Sequence, residues 1–210
     1  FACALACVLG LSAGSFLALR DFPGRSALLT VLNTSLALPS VVVGLAVYLL
    51  LSRSGPLGFL GWLFSFKAMV VAQTILVLPV VTALTRQVIA QADRMQGEGL
   101  RSMGASTLMR ACLLTWNERF ALMTVVLTGF GRAVSEVGAV MIVGGNMEGF
   151  TRVMTTSIAL ETSKGELPIA LGLGIVLLVV VLLLNVLMGW VVRAGRHGTT
   201  DNDAPRGAVA

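Results

Sequence analysis

Two ionisable residues, Arg132 and Glu136, stand inside a long apolar stretch of the sequence. They are four residues apart, which places both on one face of a helix, where an arginine and a glutamate can pair. A charged group at membrane depth costs about 3 kcal/mol or more and normally faces a protein interior or a water-filled path. With Ser135 and Asn146, they are candidates for a buried polar pair or for a translocation pathway. Since a fixed glutamate repels anions, direct contact with an anion would fall to Arg132, Ser135, Asn146 or backbone N–H groups.

The composition is that of a membrane protein. Of 210 residues, 56% are hydrophobic and 12% are charged, and the charged share is about half that of a soluble domain. Five apolar segments approach the ~20 residues that cross a bilayer as a helix, and they are apolar on all faces, unlike the amphipathic helices of a soluble core. We therefore predict an all-α, polytopic bundle of five to six transmembrane helices. The segments are 1–19, 28–51, 68–92, 120–143 and 167–192, and the first is interpreted as a span that lacks its beginning.

The basic residues predict how this domain lies in the membrane. Residues 1–195 are expected to form one transmembrane domain, and the polar residues 196–210 a disordered cytoplasmic tail. If the joint 86–119 is cytoplasmic, ten basic residues lie inside and four outside, as the positive-inside rule requires. The ten inside residues are Arg20, Arg25, Arg86, Arg94, Arg101, Arg110, Arg119, Arg193, Arg196 and Arg206.

Prolines within the second and third segments, Pro39 and Pro79, are expected to bend those helices, either for packing alone or as parts of a gate.

The long joint between the third and fourth segments has a helical pattern of its own. We predict a short helix across the membrane face in the region 94–112, with Leu100, Met103 and Leu108 on an apolar edge. Arg101, Ser102 and Arg110 are expected elsewhere on the surface. Such a helix suits docking to a soluble partner, although a solvated loop is the alternative.

The outer joint between the fourth and fifth segments holds a second candidate surface. Residues 151–162 are compatible with a short helix that carries Thr155, Thr156 and Ser157 as its polar part. On the outer side of the membrane, these residues suit an outer gate or a contact with a solute-binding protein. A cap that merely covers the helix bundle is the alternative.

Two motifs resemble one family of membrane proteins. Glu98, followed by Gly104 and Ala105, resembles the EAA loop of ABC-importer permeases, although Gly99 and Leu100 replace the usual alanines. The string from Gly131 to Asn146, GRAVSEVGAVMIVGGN, resembles the R-x-x-[GS]-E-x-G-A…G-N signature of molybdate, tungstate and sulfate permeases, and in particular the tungstate branch.

The resemblance implies a type I ABC-importer permease in a bacterial or archaeal plasma membrane, most closely one for tungstate. Glu98, Gly104 and Ala105 would then couple the permease to a cytoplasmic ABC ATPase dimer. Two permease copies and an extracytoplasmic oxyanion-binding protein are also implied. The chain has no phosphate-cradling G-x-x-x-x-G-K-[ST] motif and only one histidine, His197, so we expect a transport subunit rather than an enzyme, with no cofactor, no metal and no nucleic-acid partner.

Other functions remain open at this point. Molybdate or sulfate is the alternative substrate, because the binding protein is expected to select the anion. A membrane scaffold would need neither the polar string around Glu136 nor the loop at Glu98. A secondary transporter would need a substrate site near the middle of the membrane, but not that loop.

Overall fold

The computed structural model describes the backbone of residues 1–200 and the side chains of residues 1–190. Over this part of the chain the protein is helical and contains no strand. The helices are α1 (Ala2–Leu19), α2 (Arg25–Leu36), α3 (Ser40–Leu51), α4 (Phe66–Ser102), α5 (Thr107–Asn117), α6 (Arg119–Val134), α7 (Gly138–Gly144), α8 (Met154–Lys164) and α9 (Leu167–Thr200), with a 3₁₀ turn at Gly58–Leu60. The predicted all-α membrane fold is confirmed.

In the part of the chain that the structure describes, three helices are long and apolar enough to cross a membrane by themselves, namely α1, α4 and the Leu167–Trp190 part of α9. Two bent pairs, α2 with α3 and α6 with α7, raise the number of spans to as many as five. The helix α4 has 37 residues and continues through Pro79. Its length of ~55 Å exceeds the ~30 Å of the hydrocarbon core, so one end of α4 projects beyond the membrane.

Two of the predicted continuous spans are broken, which corrects the sequence-based prediction. The segment 28–51 forms α2 and α3, which meet at 105°. Pro39 lies directly before α3, where it has no N–H to donate and disfavours a helical conformation in Leu38. The segment 120–143 forms α6 and α7, which meet at 56° around Ser135–Val137. The break therefore lies beside the predicted polar pair.

Small residues bring α1 against α4, the central helix of the bundle. An added Cβ at Gly10 would stand 2.7 Å from Val81 Cγ1, and one at Gly14 would stand 2.7 Å from the Thr82 carbonyl oxygen. Two glycines four residues apart allow this close approach, as they do at other membrane helix interfaces. Core residues from α1, α4, α5 and α6 form one apolar cluster, and those from α3, α4 and α7 form another.

Among the three helices that can span by themselves, α9 is the most apolar and the least buried. Its membrane-length stretch has a mean hydropathy of 3.1 and is 6% buried. A helix that is apolar on all faces and is not covered by the rest of its own chain is expected to contact lipid or another subunit. The α9 backbone continues to Thr200, past the predicted start of the tail at residue 196. The remainder of that predicted disordered tail, residues 201–210, lies outside the described residues.

Candidate functional site

The predicted polar pair is present at the break between α6 and α7. Arg132 Nη1 lies 2.7 Å from Glu136 Oε2. The Glu136 side chain is 4% exposed, whereas that of Arg132 is 35% exposed. Glu136 lies just beyond the last turn of α6 rather than within a continuous helix. The pair thus joins a buried carboxylate to a guanidinium group that is still partly open to its surroundings.

Glu136 is also held by the two helices that follow it. Its second oxygen, Oε1, accepts a hydrogen bond from the Ala139 backbone N–H at 3.1 Å, so the side chain satisfies a free N–H at the start of α7. Its backbone carbonyl accepts a hydrogen bond from Thr155 Oγ1 of α8 at 3.2 Å. Both carboxylate oxygens and the carbonyl are therefore engaged, and Glu136 fixes α6, α7 and α8 to one another.

The small residues after Glu136 let α3 lie against this junction. An added Cβ at Gly138 would stand 2.9 Å from Val41 Cγ2 and 3.2 Å from Ser40 Oγ. An added Cβ at Gly44 would stand 2.7 Å from Ala139 Cα. Larger side chains at these positions would force α3 and α7 apart, so the Gly-Ala pair in the motif has a packing role next to the buried carboxylate.

The other predicted members of this site lie apart from the carboxylate. Ser135 is exposed and its hydroxyl donates to the Arg132 carbonyl at 3.1 Å. Asn146 follows the glycine that ends α7 and has a positive φ of 49°. Its buried Oδ1 atom has no hydrogen-bond partner among the described residues. The structure therefore brings Arg132, Ser135 and Glu136 together, but it gives no contact between Asn146 and the pair.

The helix α8, which the sequence predicts on the outer side of the membrane, differs from the prediction in what it exposes. Thr155 and Thr156 are buried, and Ser157 is half-buried. Thr156 Oγ1 accepts from the Val153 backbone N–H at 3.0 Å, while Thr155 contacts the Glu136 carbonyl. The buried side chains of Thr155 and Thr156 are not placed to meet a docking partner in this arrangement, and the outer gate or binding-protein contact stays a prediction. Their position beside the α6–α7 break remains compatible with a gate.

The second predicted site lies at the opposite end of α4. The expected short helix is wrong: region 94–112 contains the end of α4, a turn and the start of α5. Gly104 has a φ of 77°, and its N–H donates to the Arg101 carbonyl at 2.9 Å, while the Ala105 N–H donates to the Leu100 carbonyl at 3.0 Å. This is the Schellman arrangement, in which glycine ends a helix and reverses the chain. Ser106 then caps α5 by accepting from the Met109 N–H at 3.3 Å.

The side chains around this turn are only partly as predicted. Glu98 is exposed, and so are Met103 and Leu108, whereas Leu100 packs against the core. Arg110, which was expected on the surface, is buried. It is buried because it pairs with Asp93 of α4.

Sequence reasoning missed Asp93 altogether. Its carboxylate pairs with Arg110 and also lies 3.4 Å from Arg101 Nη2. Asp93 and Arg110 are 17 residues apart, so no helical spacing rule connects them. The signal that could have found them is an acidic residue directly after the third apolar segment, at the start of a joint that carries several arginines.

Comparison with known proteins identifies the family of this chain. Residues 8–197 match the family model described as binding-protein-dependent transport system inner membrane component. A probable anion ABC transporter permease protein of Haloferax volcanii is 40% identical over 191 residues, which cover 89% of this chain and 82% of the relative.

Two further relatives have a more specific name. The tungstate uptake system permease protein TupB of Campylobacter jejuni is 41% identical over 165 residues, covering 79% of this chain and 69% of the relative. The protein of the same name from Peptoclostridium acidaminophilum is 40% identical over 188 residues, covering 88% and 81%. Since the family model covers most of the chain and these relatives are about 40% identical to it, the chain belongs to the family of binding-protein-dependent transport system inner membrane components.

Proposed function

We propose that this chain is the membrane-spanning subunit of an ABC importer for a tetrahedral oxyanion, and that the anion is tungstate. The observation that carries the proposal is Arg132, a partly exposed cation held in a membrane-spanning helix pair by a buried carboxylate. A charged group within a membrane span is costly and normally serves transport or packing. The choice of tungstate rests on the two tungstate uptake permeases that match most of this chain.

Arg132 and Glu136 have separate tasks in this proposal. Glu136 uses all its oxygen atoms within the protein, so it has none left for a solute and would repel an anion. Arg132 has donors beyond the one used by Glu136, and it is the part of the pair that is exposed at the surface of this chain. A guanidinium group suits the oxygens of a tetrahedral anion, because its donors form a planar fork. We infer that Glu136 positions Arg132 at the side of the anion pathway.

The energy for transport would come from a separate subunit at the α4–α5 turn. Glu98 is exposed beside this turn, and Gly104 gives the chain its reversal. An ATPase dimer would contact this surface of two permease copies, and an extracytoplasmic binding protein would deliver the anion to the other side. The α4–α5 turn and the end of α9 would then lie in the cytoplasm.

Uptake measurements test the anion and the role of Arg132 together. Tungstate, molybdate and sulfate uptake would be measured in a deletion strain complemented with the intact chain or with Arg132→Gln. We expect tungstate uptake with the intact chain and at least about tenfold less with Arg132→Gln. The matched control is Arg152→Gln, since Arg152 also pairs with a glutamate four residues away, at 3.3 Å from Glu148, but lies outside α6.

Two results would contradict the proposal. If the intact chain restores sulfate or molybdate uptake but not tungstate uptake, the proposed anion is wrong. If Arg132→Gln is present in the membrane at the normal level and transports tungstate normally, Arg132 does not line the pathway.

A further inference from the structure

An apolar groove of about 1060 Å³ lies between α1, α5 and α6. Its volume is similar to that of pockets that hold small ligands, roughly 300–1,000 Å³. The α1 and α6 walls carry large apolar side chains along most of its length. These side chains are Val8, Leu11, Phe16, Leu19, Leu122, Met123 and Val126. The groove belongs neither to the Arg132–Glu136 pair nor to the glycine turn.

Two arginines stand at one end of this groove. Arg20 follows the last residue of α1, and Arg119 begins α6. Neither guanidinium group has a carboxylate within ion-pair distance among the described residues. Each rests instead on aromatic rings: Arg20 lies 5.5 Å from the centre of Phe16, and Arg119 lies 5.3 Å from that of Trp116. The groove is therefore apolar along most of its length and positively charged at one end.

The depth of the groove matches one leaflet of a bilayer. Its α1 wall runs from Val8 to Arg20, which is ~18 Å along a helix axis. Half of the hydrocarbon core is ~15 Å. The arginines and Trp116 stand where α1 ends and α6 begins, and membrane proteins place Arg and Trp side chains at the boundary between lipid tails and headgroups. Trp116 is 70% exposed, although it lines the groove.

We propose that this groove binds an anionic phospholipid, with an acyl chain between α1 and α6 and the phosphate at Arg20 and Arg119. Two unpaired cations above an apolar wall complement the charge and shape of such a lipid, and basic pockets between membrane helices are known lipid sites. The lipid would come from the cytoplasmic leaflet, which is the only point at which the inference rests on the proposed function. The α5 side of the groove includes Leu108 and Thr115, so the lipid would also contact the helix that follows the α4–α5 turn.

Trp116 can report on this site directly. The assembled transporter complex would carry the permease with Trp62→Phe and Trp190→Phe, and any tryptophans of its other subunits replaced. It would be placed in phosphatidylcholine nanodiscs with increasing amounts of brominated phosphatidylglycerol or brominated phosphatidylcholine. Bromine quenches tryptophan fluorescence only at short range. We expect half-maximal quenching of Trp116 at a mole fraction at least about fivefold lower for phosphatidylglycerol, since each basic residue contributes about a factor of five.

Charge variants distinguish specific binding at Arg20 and Arg119 from a non-specific attraction of anionic lipid to the positively charged protein. Arg20→Gln with Arg119→Gln should abolish the preference for phosphatidylglycerol, and Arg20→Lys with Arg119→Lys should retain most of it. The matched control is Arg53→Gln with Lys67→Gln, because both residues are exposed on the predicted opposite side of the membrane. Quenching is compared as a fraction of each variant's own fluorescence, since Arg119 contacts Trp116.

Three results would overturn the inference. Equal quenching by both lipids means that the groove does not select an anionic headgroup. Absence of quenching by either lipid means that a protein surface, either a second permease copy or the ATPase, covers the groove. A preference that is lost equally in the Arg53 and Lys67 control means that the attraction is not specific to the groove. The measurement needs neither transported anion nor ATP hydrolysis, so it can succeed or fail independently of the proposed transport function.

Discussion

Asp93 of α4 and Arg110 of α5 form an ion pair that closes the helical hairpin around Gly104. The two side chains are 15% and 7% exposed. Arg101, from the last turn of α4, approaches the same carboxylate at 3.4 Å. An added Cβ at Gly97 would collide with this carboxylate, so glycine at residue 97 leaves room for the carboxylate in the position that it takes here. One carboxylate thus fixes the angle at which α5 leaves the turn.

The first prediction is that Asp93→Asn destabilises the hairpin. The change keeps the shape of the side chain but leaves Arg110 buried without a counter-charge, which costs on the order of 3–5 kcal/mol for a buried pair. We expect a lower melting temperature and weaker anion-stimulated ATP hydrolysis in the assembled complex. Arg101→Gln is the control, because the Arg101 side chain is 62% exposed and surface pairs contribute about 1 kcal/mol or less. Equal melting temperatures for Asp93→Asn and the wild type would show that the pair does not hold the hairpin.

The second prediction concerns the backbone of Gly104. Its φ of 77° is left-handed, and nothing lies within 4 Å of an added Cβ. A substitution is therefore penalised through backbone strain alone, about 1–2 kcal/mol for a residue with a Cβ, and asparagine tolerates this conformation better than valine. We expect Gly104→Asn to keep most of the stimulated ATP hydrolysis and Gly104→Val to lose it.

Glu98 provides a separate test of the same surface. It is exposed and has no ion-pair partner among the described residues, so Glu98→Lys should leave the melting temperature unchanged. If the ATPase docks here, the reversed charge should still reduce stimulated hydrolysis. Normal hydrolysis in both Gly104→Val and Glu98→Lys, with normal subunit stoichiometry, would refute the coupling assignment.

The sequence predicted the long helices well and their breaks poorly. Hydrophobicity alone located α1, α4 and α9, because a bilayer requires about 20 apolar residues for each crossing. The hydrophobic pattern joined α6 to α7, because the three residues Ser135–Val137 are too few to interrupt the apolar segment 120–143. The break depends on Glu136 Oε1 accepting the Ala139 N–H, a contact that begins a new helix and leaves no mark in the hydrophobic pattern.

The two ion pairs also show which contacts sequence spacing can predict and which it cannot. Arg132 and Glu136 could be paired from their sequence because four residues are about one helical turn. Asp93 and Arg110 could not, because their contact depends on how α5 folds back on α4. The burial of Thr155 and Thr156 could not be predicted for a related reason: their hydroxyls are satisfied by backbone groups of the α6–α7 break and of their own helix, which their polarity alone does not reveal.

The third prediction concerns topology. The basic residues predict that the α4–α5 turn and the end of α9 lie in the cytoplasm, while the α8–α9 connection lies outside. Reporter fusions or single-cysteine labelling at Ala105 and Thr200 should give the same side, and Gly165 should give the opposite side. The labelling background must lack Cys112, which is exposed. Ala105 and Thr200 on different sides of the membrane would exclude this arrangement of spans.

The last prediction distinguishes the structural and transport roles of Arg132 and Glu136. Arg132→Ala would leave a buried carboxylate without its counter-charge, although the Ala139 N–H and the Ser40 hydroxyl would still donate to it. Its cost should be about 2–3 kcal/mol, less than the 3–5 kcal/mol of a fully buried pair, because Arg132 is one-third exposed. Glu136→Ala would remove both the counter-charge and the hydrogen bond at the start of α7.

Both single variants should therefore lower the melting temperature, and the double variant should lose less than the sum of the two. Glu136→Gln is the matched control, since it can still accept from Ala139 while losing its charge. If Arg132 also contacts the anion, Arg132→Lys should regain stability more fully than transport, because lysine keeps the charge but not the planar donor fork. Thermal melts and tungstate uptake are measured on the same variants. Additive stability losses in the double variant would refute the ion pair. Equal recovery of stability and transport in Arg132→Lys would refute a specific anion contact.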